Sequence, residues 1–182
     1  MKVIPTHEIP RLSPEAFRAI DKLPLVLILD NIRSAANVGS FFRTADAFAL
    51  DHLYLGGITA QPPHRDILKT ALGASETVTW THVSDTPAEV QKLQQKGYRV
   101  LAVEIAEGAT PLPDFSVDPE QALALVFGNE VIGVSPEIMG LVDGAIEIPQ
   151  FGTKHSLNVS ISAGIVIWEV VRQLLFGEGK AF

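Results

Sequence analysis

Short apolar runs alternate with stretches of helical spacing along the whole chain. Ser13-Pro14-Glu15 reads as a helix start, with Ser13 capping and Pro14 in the first turn. That helix must stop before Pro24. Leu25–Leu29 is an unbroken apolar run, the mark of a strand buried on both faces. A polar loop over 30–36 leads into a helix over Asn37–Phe48, where Phe41, Phe42, Ala45 and Phe48 share one face. The same reading gives a strand at His52–Leu55, a proline-rich loop at 58–64, and a short helix at Asp66–Leu72 stopped by Gly73. A strand follows at Thr77–Val83, a helix at Thr86–Lys96 and a strand at Tyr98–Val103. Glu104–Pro119 is an irregular connection. The remaining elements are a strand at Ala122–Phe127, a helix at Ser135–Leu141, a strand at Ala145–Ile148, a loop at 149–157 and a long closing helix at Asn158–Phe176. This alternation predicts an α/β fold with a mostly parallel sheet and helices on both faces. No domain boundary interrupts residues 1–182, and residues 1–24 form an extension with one short helix.

The 182 residues and 47% hydrophobic content suffice for a core without disulfides or metals. With no cysteine, disulfides, thiolate metal sites and a cysteine nucleophile are excluded. The five histidines (7, 52, 64, 82 and 155) show no metal-ligand spacing. No signal-peptide pattern opens the chain, and the apolar stretch 161–176 carries Ser162, Glu169, Arg172 and Gln173. It therefore reads as a core or interface helix rather than a membrane span, and a cytoplasmic location is expected. The net charge is −7, but unevenly spread: residues 1–70 carry 8 basic and 7 acidic side chains, and 71–182 carry 6 and 14. A polyanion would favour the N-terminal part, where Arg11, Arg18, Arg33, Arg65 and Lys69 lie, joined by Lys154.

Three polar loops each follow an apolar strand, where ligands of open α/β sheets gather. The first, Leu29–Arg43, holds Asn37 and Arg43. Six residues at about 100° each set them about 120° apart round a helix, with Arg43 able to reach back towards the loop. Arginine is the natural clamp for phosphate; the plainer reading is a surface ion pair for Arg43 and a cap for Asn37. The second is Gly128-Asn129-Glu130-Val131-Ile132-Gly133. A glycine there lets a ligand approach the backbone, and Glu130 stands where a carboxylate can hold a base, a hydroxyl or an arginine; otherwise it is a solvated turn residue. No phosphate-binding Gly-Lys-Ser/Thr or dinucleotide glycine pattern is present. The third is Glu147-Ile148-Pro149 with Ser156-Leu157-Asn158-Val159-Ser160. Ser156 or Asn158 caps the closing helix, which does not account for all three polar side chains.

In order and together, these segments resemble the three motifs of the SpoU/TrmH family of RNA 2′-O-ribose methyltransferases, in the SPOUT superfamily, over residues 25–176. The resemblance implies a C-terminal deep trefoil knot over about 122–176. It also implies a homodimer with the closing helix at its interface, and S-adenosylmethionine as methyl donor without a metal. Donor contacts fall at Val103, Gly128, Ile148 and Leu157. Arg43 activates the ribose hydroxyl, Asn37 positions Arg43 or the ribose, and Glu130, Ser156 and Asn158 shape the site and orient the two substrates. The implied partner is RNA, tRNA rather than rRNA. A non-catalytic RNA-binding protein of this fold and a methyltransferase with a small-molecule acceptor are the alternative readings.

Overall fold

The computed structural model describes residues 1–176; residues 177–182, the end of the span expected as one domain, lie outside the described residues. The strands are β1 (Leu23–Asp30), β2 (Leu50–Gly56), β3 (Trp80–Val83), β4 (Arg99–Val103), β5 (Thr110–Pro111), β6 (Leu123–Phe127) and β7 (Gly144–Glu147). The helices are α1 (Pro14–Ala19), α2 (Ala35–Ala47), α3 (Arg65–Ala71), α4 (Thr86–Gln95), α5 (Pro136–Met139) and α6 (Val159–Phe176). The strands form one sheet in the order β3-β2-β1-β6-β4-β7-β5, and every neighbouring pair is parallel.

The period of two splits each central strand between two cores. Leu25, Leu27 and Leu29 of β1, with Leu125 and Phe127 of β6, face α2, α3 and α6. Val26, Ile28, Ala124 and Val126 face α4 and α5. Apolar residues on both sides explain why these strands show no polar alternation. On α6, Ala163, Val166, Ile167, Val170, Val171 and Leu174 are buried, an i, i+3, i+4, i+7 stripe that seats one face on the sheet. Ile161, Ile165 and Trp168 on its other side stay exposed.

Several boundaries differ from the sequence reading. The strand expected from Thr77 begins at Trp80, because Ala74–Glu76 is a 3-10 turn and the N–H groups of Thr77 and Val78 bond to the Ala74 carbonyl. Helix α2 starts at Ala35, not Asn37, since the Ser34 side chain accepts the Asn37 N–H and is the cap. Helix α5 is four residues long, and the irregular 104–119 connection contains the short β5. Helix α1 begins as expected, with Ser13 accepting the Ala16 N–H.

Candidate active site

Parallel pairing brings four strand ends level. Leu29 pairs with Phe127, Phe127 with Val103, and Val103 with Ile146. The loops that leave these ends surround a cleft of about 540 Å³, within the size range of small-molecule sites. Val103, Gly128, Ile148 and Leu157 line it, as do Glu130, Ser156 and Asn158. Its ionisable lining groups are the carboxylates Glu104, Glu130 and Glu147.

The cleft floor depends on close backbone packing. A Cβ on Gly128 would sit 2.1 Å from both the Gly133 carbonyl carbon and the Val134 nitrogen, so no other residue fits. Asn129 and Gly133 exchange two backbone hydrogen bonds of 2.9 Å each, closing the loop on itself. Gly133 has φ +71°, which favours glycine. The Asn129 side chain donates to the Asn31 carbonyl at 2.7 Å and accepts the Val131 N–H at 2.9 Å. The Glu104 carboxylate accepts N–H groups from Ile105 and Val134 at 3.0 Å each. The loop is therefore fastened to β1 on one side and β4 on the other.

Among the described residues Glu130 pairs with no hydroxyl or arginine side chain. Its carboxylate accepts the Arg33 N–H at 2.9 Å, the Ser34 N–H at 3.0 Å and the Asn37 side-chain amide at 3.0 Å. It thereby sits just ahead of α2, near the positive end of the helix dipole. Burial by itself pushes this carboxyl up. Hydrogen bonds from the N–H groups of Arg33, Glu130 itself and Ser34, and from the Asn37 amide, outweigh it and hold the group below the usual carboxylate range. An ionised carboxylate with both oxygens engaged orients its surroundings rather than taking a proton.

Asn37 is the meeting point. While its amide nitrogen donates to Glu130, its oxygen accepts from the Asn158 amide at 3.2 Å and the Ser160 hydroxyl at 3.4 Å. Asn158 caps α6, its oxygen accepting the Ser160 N–H at 2.9 Å and the Ser160 hydroxyl at 2.7 Å, the single hydroxyl proton being shared between this contact and the longer one to Asn37. Segments 93 and 121 residues apart are joined through one amide. Of the two cap candidates, Asn158 serves; Ser156 is exposed at the cleft and has no hydrogen bond among the described residues. Arg43 is not drawn into this cluster. It is exposed on α2, outside the cleft lining, and makes no ion pair or hydrogen bond among the described residues. Sequence reasoning gave no role to Glu104, Asn129 or Ser160. Glu104 had one available signal, an acidic residue directly after an apolar strand, as in the first loop.

Among the described residues no group of three or more His, Asp or Glu side chains is placed to hold a metal. The chain matches the SpoU rRNA Methylase family over residues 24–168. It is 31% identical over 155 residues to the tRNA (guanosine(18)-2′-O)-methyltransferase of Aquifex aeolicus, covering 82% of this chain and 69% of that one. The AdoMet-bound rRNA methyltransferase of Sinorhizobium meliloti superposes with a TM-score of 0.77 at 28% identity, covering 91% of this chain and 62% of that one. A structure described as giving insights into the 2-OH methylation of C/U34 on tRNA matches with a TM-score of 0.72 at 26% identity. That match covers 82% of this chain and 95% of the other. The chain spans between 59% and 69% of the length of four curated relatives.

Proposed function

We propose that the chain, which belongs to the SpoU rRNA Methylase family, transfers a methyl group from S-adenosylmethionine to a ribose 2′-hydroxyl of RNA. The observation that carries this reading is the cleft at the level ends of β4, β6 and β7, with the side-chain-free Gly128 in its floor. A related rRNA methyltransferase of the same fold holds AdoMet. The donor's sulfonium makes its methyl group electrophilic, so the protein's work is alignment and charge. Val103, Gly128, Ile148 and Leu157 bind the donor. The carboxylate lining suits a ligand that carries positive charge. A ribose hydroxyl must lose its proton as its oxygen bonds to the methyl carbon and the carbon–sulfur bond breaks. Arg43, always protonated, stabilises the developing alkoxide, and an RNA phosphate oxygen receives the proton. Asn37, Glu130 and Asn158 fix the surrounding segments, and Ser156 faces the reactants.

Arg43 stands outside the cleft of its own chain, which supports a homodimer in which each copy completes the other's site. The exposed Ile161, Ile165 and Trp168 of α6 beside Leu112 form an apolar groove suited to a second copy. The α6 helix is apolar and long enough by composition to cross a bilayer; its buried stripe on the sheet favours the role of core and interface helix without a membrane partner. The insertion of β6 between β1 and β4, and of β7 between β4 and β5, supports the C-terminal knot. Residues 1–182 are read as one methyltransferase domain with an extension at 1–24. The match over 95% of a structure described by 2-OH methylation of tRNA supports tRNA as substrate. A cytoplasmic location is part of this reading.

Labelled S-adenosylmethionine with tRNA or rRNA lacking the modification tests the proposal. A 2′-O-methyl nucleoside in digested tRNA is the expected product. Bound donor with no transfer to either RNA refutes it.

A further inference from the structure

Five cations of this chain have a partner among the described residues. Arg172 pairs with Glu169 at 2.7 Å and Lys92 with Glu89 at 3.1 Å. Arg18 donates to the Glu76 carbonyl at 2.7 Å, while Lys22 and Arg99 lie over the rings of Phe17 and Phe115. Arg33 differs. Its backbone N–H is held by Glu130 at 2.9 Å and that of the next residue at 3.0 Å. The residue is exposed, and its side chain makes no ion pair or hydrogen bond among the described residues. This leaves a guanidinium free in a chain with more acidic than basic residues, 21 against 14.

Its position gives that freedom a purpose. Glu130 lines the cleft and takes the two N–H groups just ahead of α2. The N–H groups of Arg33 and Ser34 are therefore closed to an incoming phosphate, and a cationic side chain on this wall can meet it instead. Arg33 is an exposed cation whose main chain is fastened to the cleft wall, so only its side chain remains to be ordered when it binds. A planar guanidinium takes two phosphate oxygens at once.

We infer that Arg33 is a substrate-positioning residue that grips an RNA phosphate at the mouth of the cleft, separately from Arg43. The inference rests on the RNA reading above. It assigns a defined job to Glu130: presenting Arg33 by holding its backbone.

The test compares the full chain with Arg33→Ala and Arg33→Lys, using total tRNA as the probe. Binding is measured from about 50 to 200 mM salt. Arg33→Ala is expected to weaken binding about tenfold and to flatten the plot of log affinity against log salt by about 0.7 to 0.9. Arg33→Lys keeps the slope and loses part of the affinity. In turnover, KM for RNA rises, while kcat at saturating RNA and the affinity for S-adenosylmethionine stay unchanged. The melting temperature also stays unchanged, because the side chain bonds to nothing in the fold. Lys92→Ala, on the other face of the sheet, leaves the slope alone. If Arg33→Ala keeps the wild-type slope while the wild type binds tRNA, the inference fails and the RNA reading survives. If the wild type binds neither tRNA nor rRNA, both fail. A loss of kcat or of melting temperature equal to the loss in binding also overturns it.

Discussion

Replacing Glu130 with glutamine keeps the side chain's shape and removes its charge. The carboxylate serves three donors: Arg33 N–H on Oε2, and Ser34 N–H with the Asn37 amide on Oε1. An amide offers one oxygen. If that oxygen keeps Ser34 and Asn37, the new NH₂ group faces the Arg33 N–H, donor against donor. If it turns over, two donors lose their acceptor. A hydrogen bond to a charged group contributes about 1.5–3 kcal/mol. Water reaches Glu130 and takes up part of the loss, so a net cost of about 1 kcal/mol is expected. For a chain of this length that lowers the melting temperature by about 2–4 °C.

The pH dependence has a definite sign. Hydrogen bonds hold the Glu130 carboxyl below its ordinary range in the folded state, overcoming the upward push of burial. A group with a depressed folded pKa stabilises above its unfolded pKa, about 4.3 for glutamate. That stability is lost as pH falls through the folded value. Thermal unfolding by circular dichroism should show the full gap between wild type and Glu130→Gln at neutral pH, shrinking as the solution is taken below about pH 4. A gap of the same size in acid, or none at neutral pH, would refute the reasoning.

The site makes other measurable claims. Arg43→Ala is expected to lower kcat by about 10² to 10⁴ with donor affinity and melting temperature unchanged; near-normal turnover would remove Arg43 from the mechanism. Gly128→Ala drives a methyl group to 2.1 Å from the Gly133 and Val134 backbone, so calorimetry should find donor binding abolished and the melting point lowered. Asn158→Ala removes the cap of α6 and is expected to cost about 1 kcal/mol in chemical denaturation. Ser156→Ala, which breaks no hydrogen bond in the fold, should change turnover without changing stability.

Elements governed by local pattern are legible in the amino-acid sequence. The β1 and β6 runs, the apolar face of α2 and the Ser13 cap of α1 each follow from residues within one or two turns. The cleft residues are legible as types, because Gly128, Glu130 and Asn158 each stand beside a strand end or helix start. Their partners are not. Glu130 meets Arg33 across 97 residues, and nothing local to either residue specifies that pairing. The reach of Arg43 back towards the first loop is not realised, for an equally physical reason. The Asn37 amide is engaged by Glu130, Asn158 and Ser160, and a side chain about 120° further round the helix points elsewhere. Strand β5, two residues containing a proline, offers too little alternation to be read.

The strand order also dictates when the molecule can become whole during synthesis. Strand β1 is made early, yet one of its two neighbours is β6, with Leu25 pairing Leu123 across 98 residues. Until residues 123–127 leave the ribosome, β1 and β4 each present an open edge of unpaired peptide groups facing an unfilled gap. The first two-thirds of the protein can gather helices onto β1, β2 and β3, but it cannot close the sheet. Late insertion of a central strand makes for slow folding, and the open edges are where a stalled or truncated chain would aggregate.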